Sequence, residues 1–341
     1  MKALKNAVKY VVQSINYTQF KLKAKSFNKP TLYILTYHRT LPLDDPRRNF
    51  EQPGMMIAPE HLKNHIHWLK EAGGNPISLT EWGDKRDTLK PGLYFAVTFD
   101  DGWKDNQEYV TSFLASQEIH STIFLVADYI STDFIFWPEK LLYLLKTTAA
   151  NKPEALSHPQ FNWLRELGAK LDWSSPPDTE ELDPIINLCK SLDEVTLYQN
   201  INATISSTLE SSASLPITHQ LVSDCDIKQL LSTGFIQFGS HTCRHSRLDK
   251  LHSKDELKYE VVESKRKISQ LTDTPTDIFC YPNGSMSNES QALVDANYVI
   301  ACTTVVGNNQ ATTPLLRLKR HNLHDGNAGT KLSFFSTLSK G

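Results

Sequence analysis

The sequence lacks three features that would assign it to a specialised class of protein. Its five cysteines are widely spaced and include no C-x-x-C pair, which fits a reducing compartment better than a disulfide framework. No apolar run approaches the ~18–20 residues that cross a bilayer. The formal net charge is only −2 over 341 residues, so we expect no general affinity for nucleic acid. An apolar fraction of 40% and a charged fraction of 22% indicate an ordinary soluble globular protein.

The first thirty residues also lack any acidic residue. They hold seven lysines, so this segment carries a formal charge of +7 and the rest of the chain carries −9. Lys9 and Gln13 interrupt the apolar core that a secretory signal needs, and no small-residue cleavage site follows. We therefore expect a cytoplasmic protein, at the inner face of the membrane. Apolar residues recur here at helical spacing: Leu4, Val8, Val11, Val12 and Ile15. Such a basic amphipathic helix suits peripheral membrane contact through residues 1–25 as well as packing on the domain, and the pattern does not separate the two.

Strand and helix patterns alternate over two separate parts of the chain. Buried-strand patterns such as "TLYILTYH" (31–38) and "LYFAVTFD" (93–100) flank an amphipathic helix pattern at residues 58–74. This succession predicts an α/β fold with a parallel sheet or barrel. We predict a barrel in two parts, at residues 31–137 and 227–330, which a mainly helical insertion at 138–226 separates. A basic amphipathic segment at 1–30 precedes the barrel, and a C-terminal tail at 331–341 follows it.

Polar residues with metal-binding chemistry follow three of the predicted strands. Asp100 and Asp101 end the stretch "TFDDG", and "YPNG" (281–284) ends another strand. His241 and His245 in "SHTCRH" are four residues apart, so on a helical turn they would share a face. Two imidazoles and one carboxylate form the three-ligand site that catalytic zinc requires, and the other carboxylate can then act as a general base. The alternative is a turn in which the aspartates only cap the following helix.

These stretches resemble the motifs of the polysaccharide deacetylases of carbohydrate esterase family 4. "TFDDG" matches the first motif, "HTCRH" matches the second motif H-[S/T]-x-x-H, and "YPNG" contains the P-x-G of the third. The resemblance covers about residues 31–137 and 227–325. It implies an α/β fold, a distorted (β/α) barrel of the NodB-homology type, with the mainly helical insertion outside the match.

The resemblance also implies a role for each matching residue. Asp101, His241 and His245 would bind a divalent metal, with Zn²⁺ as the expected ion, and Asp100 would be the general base. The backbone N–H of Tyr281 would help to hold the oxyanion.

Two departures from the family pattern concern the groups around the base. Cys280 stands where many relatives have an arginine that orients the base, and Arg320 in "LKRH" would replace that arginine. The tryptophan often found in the fourth motif is missing. The histidine that gives a proton to the leaving amine would be His321 or His324, which spacing does not separate.

Three aromatic residues near the motifs are further candidates for the site. Trp103 and Tyr281 could stack on a sugar ring. His38 ends the first predicted strand, where it either lines the site or is a structural histidine.

The function that follows is metal-dependent removal of N-acetyl groups from an amino sugar, in a polysaccharide or a lipid-linked saccharide of surface-polysaccharide assembly. A deformylase or an O-deacetylase could use the same site, because metal and base act on any small acyl carbonyl. A non-catalytic glycan-binding protein that keeps the fold is the remaining alternative, supported by Cys280 and the missing tryptophan.

Overall fold

Two units make up the chain in the computed structural model, which describes residues 2–209 and 220–340, with side chains from residue 7 onward. The first unit comprises Met1–Pro42, Ile57–Thr132 and Leu221–Gly341, and the second comprises Leu43–Met56 and Asp133–Gln220. Residues 210–219 of the predicted insertion, and the side chain of Leu4, lie outside the described parts. Among the described residues, no helix is both long and apolar enough to span a membrane.

A closed barrel of seven parallel strands forms the centre of the first unit. The strands pair in the order β1-β10-β9-β8-β7-β6-β5, and β5 pairs again with β1; β4 adds to the outside of β5, and β2 pairs with β3. The predicted (β/α) barrel is therefore confirmed. The strands are β1 Pro30–Tyr37, β2 Arg39–Thr40, β3 Met56–Ile57, β4 Asn75–Pro76, β5 Gly92–Phe99, β6 Ser121–Leu125, β7 Ile236–Ser240, β8 Ile278–Cys280, β9 Ile300–Val306 and β10 Leu318–Asn322.

The strands are apolar on both faces because one face lines the barrel and the other carries helices. Leu32 and Ile34 of β1 pack inside with residues of the other barrel strands. Tyr33, Leu35 and Tyr37 alternate with them and pack against the outer layer.

Helices surround the barrel and make up the regular structure of the insertion. The α-helices are α1 Lys2–Lys25, α2 Pro59–Glu71, α3 Leu79–Lys85, α4 Lys104–Tyr109, α5 Thr111–Ser116, α6 Trp137–Asn151, α7 Asn162–Glu166, α8 Thr179–Cys189, α9 Glu194–Thr208, α10 Asp224–Ser232, α11 Lys254–Lys258, α12 Ser264–Thr272, α13 Asn288–Asn297, α14 Asp325–Ala328 and α15 Lys331–Leu338. Short 3₁₀ turns occur at Pro46–Phe50, Pro53–Met55, Pro153–Ser157, Pro159–Phe161, Pro282–Gly284 and Leu315–Arg317, and a π-helical turn at Tyr259–Glu263 joins α11 to α12.

The second unit has an apolar core of its own. Its regular elements described between Asp133 and Gln220 are helical. Leu142 and Leu145 of α6 are buried there against Ile186 of α8 and Ile201 of α9.

The C-terminus corrects one prediction. Residues 331–341 were expected to form a tail, but α15 begins at Lys331 and buries Phe334 and Phe335. The helix has eight residues, which make about two turns. Its apolar side chains join the outer core cluster of the barrel unit.

Candidate metal centre

The first motif turns sharply as it leaves β5. Asp101 has φ 71° and Gly102 has φ 76°, the left-handed conformation that favours glycine. A Cβ on Gly102 would lie 2.9 Å from the Leu125 side chain, so any larger residue at this position would clash. Both Asp100 and Asp101 are almost completely buried at this turn.

The second motif follows β7 as a tight turn, which corrects the helical turn expected from the sequence. Thr242 and His245 have positive φ angles of 67° and 60°, so the backbone folds back. The rings of His241 and His245 still meet, with centroids 5.0 Å apart.

Glu260 holds this turn from the neighbouring π-helical segment. Its Oε2 accepts from the backbone N–H groups of Cys243 and Arg244 at 2.9 Å each, and its Oε1 accepts from the Ser246 hydroxyl at 3.0 Å. The Cys243 side chain itself is buried, and its thiol faces the Tyr259 carbonyl at 3.2 Å, away from a ligand role.

Three side-chain atoms of these two motifs converge on one point. Asp101 Oδ1 lies 3.5 Å from His241 Nε2 and 3.3 Å from His245 Nε2. Ligands at 2.0–2.1 Å from a tetrahedral zinc ion are about 3.3–3.4 Å apart. Asp101 Oδ1 is buried and accepts no hydrogen bond, an expensive state unless a cation uses it. The donor set therefore fits a divalent metal.

Neighbouring groups orient these donors. The Cys280 carbonyl lies 2.9 Å from His241 Nδ1, which places the proton on Nδ1 and leaves the Nε2 lone pair free. Trp103 Nε1 donates to Asp101 Oδ2 at 3.1 Å, leaving Oδ1 for the cation. Arg39 stacks on the Trp103 ring at 4.2 Å, and its guanidinium pairs with the buried Asp105 at 2.9 Å.

The charges of the site suit a cation bound by these donors. Burial raises the pKa of Asp101 to about 6, because nothing nearby fully compensates its charge. Burial lowers the pKa of His241 to about 3. The imidazole is therefore neutral near pH 7, the form that binds a metal.

Arg320 forms a bidentate ion pair with the second carboxylate of the first motif, that of Asp100. Its two terminal nitrogens donate to Asp100 Oδ1 at 2.7 Å and to Oδ2 at 2.8 Å, and Nε donates to the Thr303 carbonyl. Burial alone would raise the pKa of Asp100, but the charge and hydrogen bonds of Arg320 outweigh it and hold the pKa below its usual value.

A second possible ligand group combines Asp100, His241 and Cys280. It is the weaker candidate because the guanidinium of Arg320 already neutralises the charge of Asp100. Burial also raises the pKa of the Cys280 thiol well above its ordinary value, whereas metals bind the thiolate.

Of the remaining predicted site residues, His38 lies at the site, whereas Trp103 and Tyr281 are buried by other contacts. His38 Nε2 is 3.8 Å from Asp100 Oδ2. Trp103 is 3% exposed under Arg39, so its ring is not free to stack on a sugar. Tyr281 is fully buried, and its backbone N–H donates to the Cys302 carbonyl at 3.2 Å. The parallel pairing of β8 with β9 thus uses the N–H that was expected to hold the oxyanion, and the expectation is corrected.

The two late histidines lie on different sides of the barrel wall. His321 follows Arg320 on β10, and successive strand residues point to opposite faces. Because Arg320 points inward to Asp100, His321 points outward, where it stacks on Tyr33 with ring centroids 5.5 Å apart. His324 lies beyond the carboxyl end of β10, at the end of the barrel that carries the aspartates, and its Nδ1 has no hydrogen-bond partner.

Sequence reasoning missed the supporting residues Glu260, Arg39 and Asp105. Glu260 sits in a helix pattern that gives no sign of a π turn. Asp105 lies in the first turn of α4, where an acidic residue is common, and in the sequence only the polar pair "HR" after the first strand indicates a buried partner.

Comparison with known proteins gives a family match over part of the chain and a fold. The model of the family described as polysaccharide deacetylase matches residues 203–301, which include the second and third motifs but not Asp100 and Asp101. No curated protein matches the chain significantly.

Several solved structures share the fold. They include BC0361, a polysaccharide deacetylase from Bacillus cereus (TM-score 0.55, 18% identity, 91% of this chain and 69% of that one). The Streptococcus pyogenes deacetylase PplD, in complex with acetate, has a TM-score of 0.57 at 15% identity and covers 91% and 99%. A de-N-acetylase from Aggregatibacter actinomycetemcomitans has a TM-score of 0.53 at 13% identity and covers 89% and 99%. Residues 203–301 thus match the sequence model of the family that the motifs predicted, and the solved deacetylases show the barrel fold that the chain shares with them.

Proposed function

We propose that the chain is a divalent-metal-dependent hydrolase that removes N-acetyl groups from an amino sugar in a polysaccharide or in its lipid-linked precursor. One observation carries the proposal. The buried, unbonded Oδ1 of Asp101 faces two imidazole nitrogens at 3.5 and 3.3 Å, beside a second buried carboxylate held apart from them. Three protein ligands leave a coordination position open, as catalytic sites do and structural zinc sites do not.

The residues of the chain divide the work of amide hydrolysis. When bound, a divalent cation, with zinc as the expected ion, polarises the acetyl carbonyl and acidifies water. Asp101, His241 and His245 hold that ion. Asp100 stays ionised beside Arg320, and its carboxylate keeps spare lone pairs after accepting two N–H bonds, so it can take a proton from the attacking water.

The departing amine must receive a proton, and we assign that donor to His324. Its position after β10 puts it at the carboxyl end of the barrel, whereas His321 is packed on the outer face. Similarity to a de-N-acetylase and to a deacetylase solved with acetate supports an acetyl amide as the bond cleaved.

The test measures metal content and acetate release from N-acetylated glucosamine oligosaccharides. We expect about one equivalent of divalent ion, lost in His245→Ala, and a loss of kcat of about 10²–10⁴-fold in Asp100→Asn with the metal retained. Asp87→Asn is the matched control, because its side chain is 79% exposed. Activity that survives both Asp100→Asn and chelation would refute the proposal. Product mass distinguishes an acetyl from a formyl leaving group by a difference of about 14 Da, as expected for a site that acts on the carbonyl.

A further inference from the structure

Over residues 7–25, whose side chains the structure describes, the helix α1 packs on the barrel unit through one face. Asn16 donates to the Ser336 hydroxyl of α15 at 2.9 Å. The rings of Tyr17 and Phe20 lie 5.2 and 4.7 Å from that of Phe335, and Phe20 is 2% exposed. The contacts of this face do not include Val8, Val11, Val12 or Ile15 of the apolar pattern found in the sequence, which are all exposed.

The opposite face of α1 is apolar and faces away from the unit. Val8, Ile15 and Leu22 are seven residues apart, so they form one line along the helix, roughly 140° around the axis from the line of Gln13 and Phe20. The side chains of this outer face are 48–65% exposed: Val8, Val11, Val12, Ile15 and Leu22. Packing on the domain, one of the two uses left open by the sequence, is therefore not the use of this face.

The concentration of exposed apolar side chains on α1 is unusual for the described part of the chain. Of the twelve exposed large hydrophobic residues there, six belong to this one helix. Scattered single residues of this kind need no explanation, but a continuous stripe marks an interaction surface.

Lysines border the outer face on both sides. Lys23 lies on one flank, Lys21 and Lys25 lie on the other, and all three are exposed. No acidic residue occurs in the first thirty positions. An apolar stripe between cationic borders is complementary to anionic headgroups above an acyl layer.

We propose that α1 docks the protein on an anionic lipid bilayer, with Val8, Val11, Val12, Ile15 and Leu22 at the boundary of headgroups and acyl chains. A second copy of the chain is a poorer occupant, because a twofold contact between these faces would bring the lysine borders of like charge together. The proposal does not depend on the proposed catalytic function, since no residue of α1 belongs to the metal centre.

The experiment is vesicle co-sedimentation of the full chain. Vesicles of phosphatidylcholine alone are compared with vesicles that also contain phosphatidylglycerol. We expect binding only to the anionic vesicles, weakened by salt, because cationic residues contribute through a screened attraction. The double variant Val11→Gln/Ile15→Gln keeps the charge and should bind at least about tenfold more weakly. The matched control is Val195→Gln/Val299→Gln, which changes two exposed valines off the helix and should bind as the wild type does.

Three results would overturn the proposal. They are equal sedimentation with both kinds of vesicle or none with either, wild-type binding by the α1 double variant with unchanged circular dichroism, and a dimer in solution that the double variant dissociates. The Asp100→Asn variant should bind vesicles normally, so failure of docking and failure of catalysis are told apart.

Discussion

Replacing Arg320 is expected to destabilise the barrel, because its guanidinium neutralises the carboxylate of Asp100, whose charge would otherwise be costly to bury. The pair of Arg320 and Asp100 is bidentate, at 2.7 and 2.8 Å, and each side chain is 3% exposed. Removing one partner of a buried pair leaves an uncompensated charge and costs about 3–5 kcal/mol. We therefore expect Arg320→Met to lower the free energy of unfolding by that amount.

A double-mutant cycle tests whether the loss arises from the pair. Asp100→Asn alone leaves the guanidinium charge buried, whereas Arg320→Met/Asp100→Asn removes both charges. The double variant should therefore be more stable than the sum of the single losses predicts, with a coupling energy of at least about 2 kcal/mol. Urea unfolding of the chelator-treated protein gives the three values without a contribution from metal binding.

Arg317 supplies the matched control three residues earlier. It pairs with Asp295 at 2.8 Å, with side chains 27% and 47% exposed, and surface pairs contribute about 0–1 kcal/mol. Arg317→Met should thus change stability little. If Arg320→Met lowers the free energy of unfolding no more than Arg317→Met does, the pair of Arg320 and Asp100 is solvated in solution. Arg320 would then not be what keeps Asp100 ionised.

Two further predictions address residues that support the site, and a third addresses His65, a buried histidine of α2. Trp103→Phe keeps the ring under Arg39 but deletes the N–H that Asp101 Oδ2 accepts, so metal affinity should fall about 10–100-fold in a chelator-competition titration; unchanged affinity would contradict the orienting role. Glu260→Ala deletes the single oxygen that accepts from the backbone N–H groups of Cys243 and Arg244 and should cost about 1–3 kcal/mol in urea unfolding, whereas an unchanged midpoint would show that the turn is stable without this contact. Burial lowers the pKa of His65 from 6.5 to about 3, so the unfolded chain binds the proton first, and stability is complete above pH 6.5 and falls as the pH drops below it. About 2 kcal/mol of loss between pH 7 and pH 5 should disappear in His65→Gln, and an equal loss in that variant would exclude His65 as the source.

The barrel could be predicted because its strands are buried on both faces. Strands such as β1 and β5 then consist of apolar runs that only threonine interrupts, and charged residues appear only where the runs end. The carboxyl ends of parallel strands meet at one end of a barrel, so "TFDDG" and "SHTCRH" could be expected to meet although 140 positions separate Asp101 from His241.

Other features depend on tertiary contacts that no local pattern encodes. Residues 43–56 belong to the second unit although they lie far from it in sequence. The apolar stripe of α1 left open whether this stripe packs on the domain. The face that does pack does so through Tyr17 and Phe20, which no apolar periodicity distinguishes. The outward position of His321 follows from the register of β10, which the sequence "LKRHNL" leaves open.

The motif turns show why the site geometry itself escaped prediction. Seven non-glycine residues of the described chain have positive φ, and four of them fall in the three motifs: Asp101, Thr242, His245 and Asn283. A left-handed residue without glycine's freedom costs roughly 1–2 kcal/mol, and such residues persist where surrounding contacts impose them. Here the imposing contacts are visible, since Glu260 fixes the histidine turn and Trp103 fixes Asp101. Local preference therefore predicts a helical turn at His241–His245, while the contacts around it select the strained turn that points both imidazoles at one carboxylate oxygen.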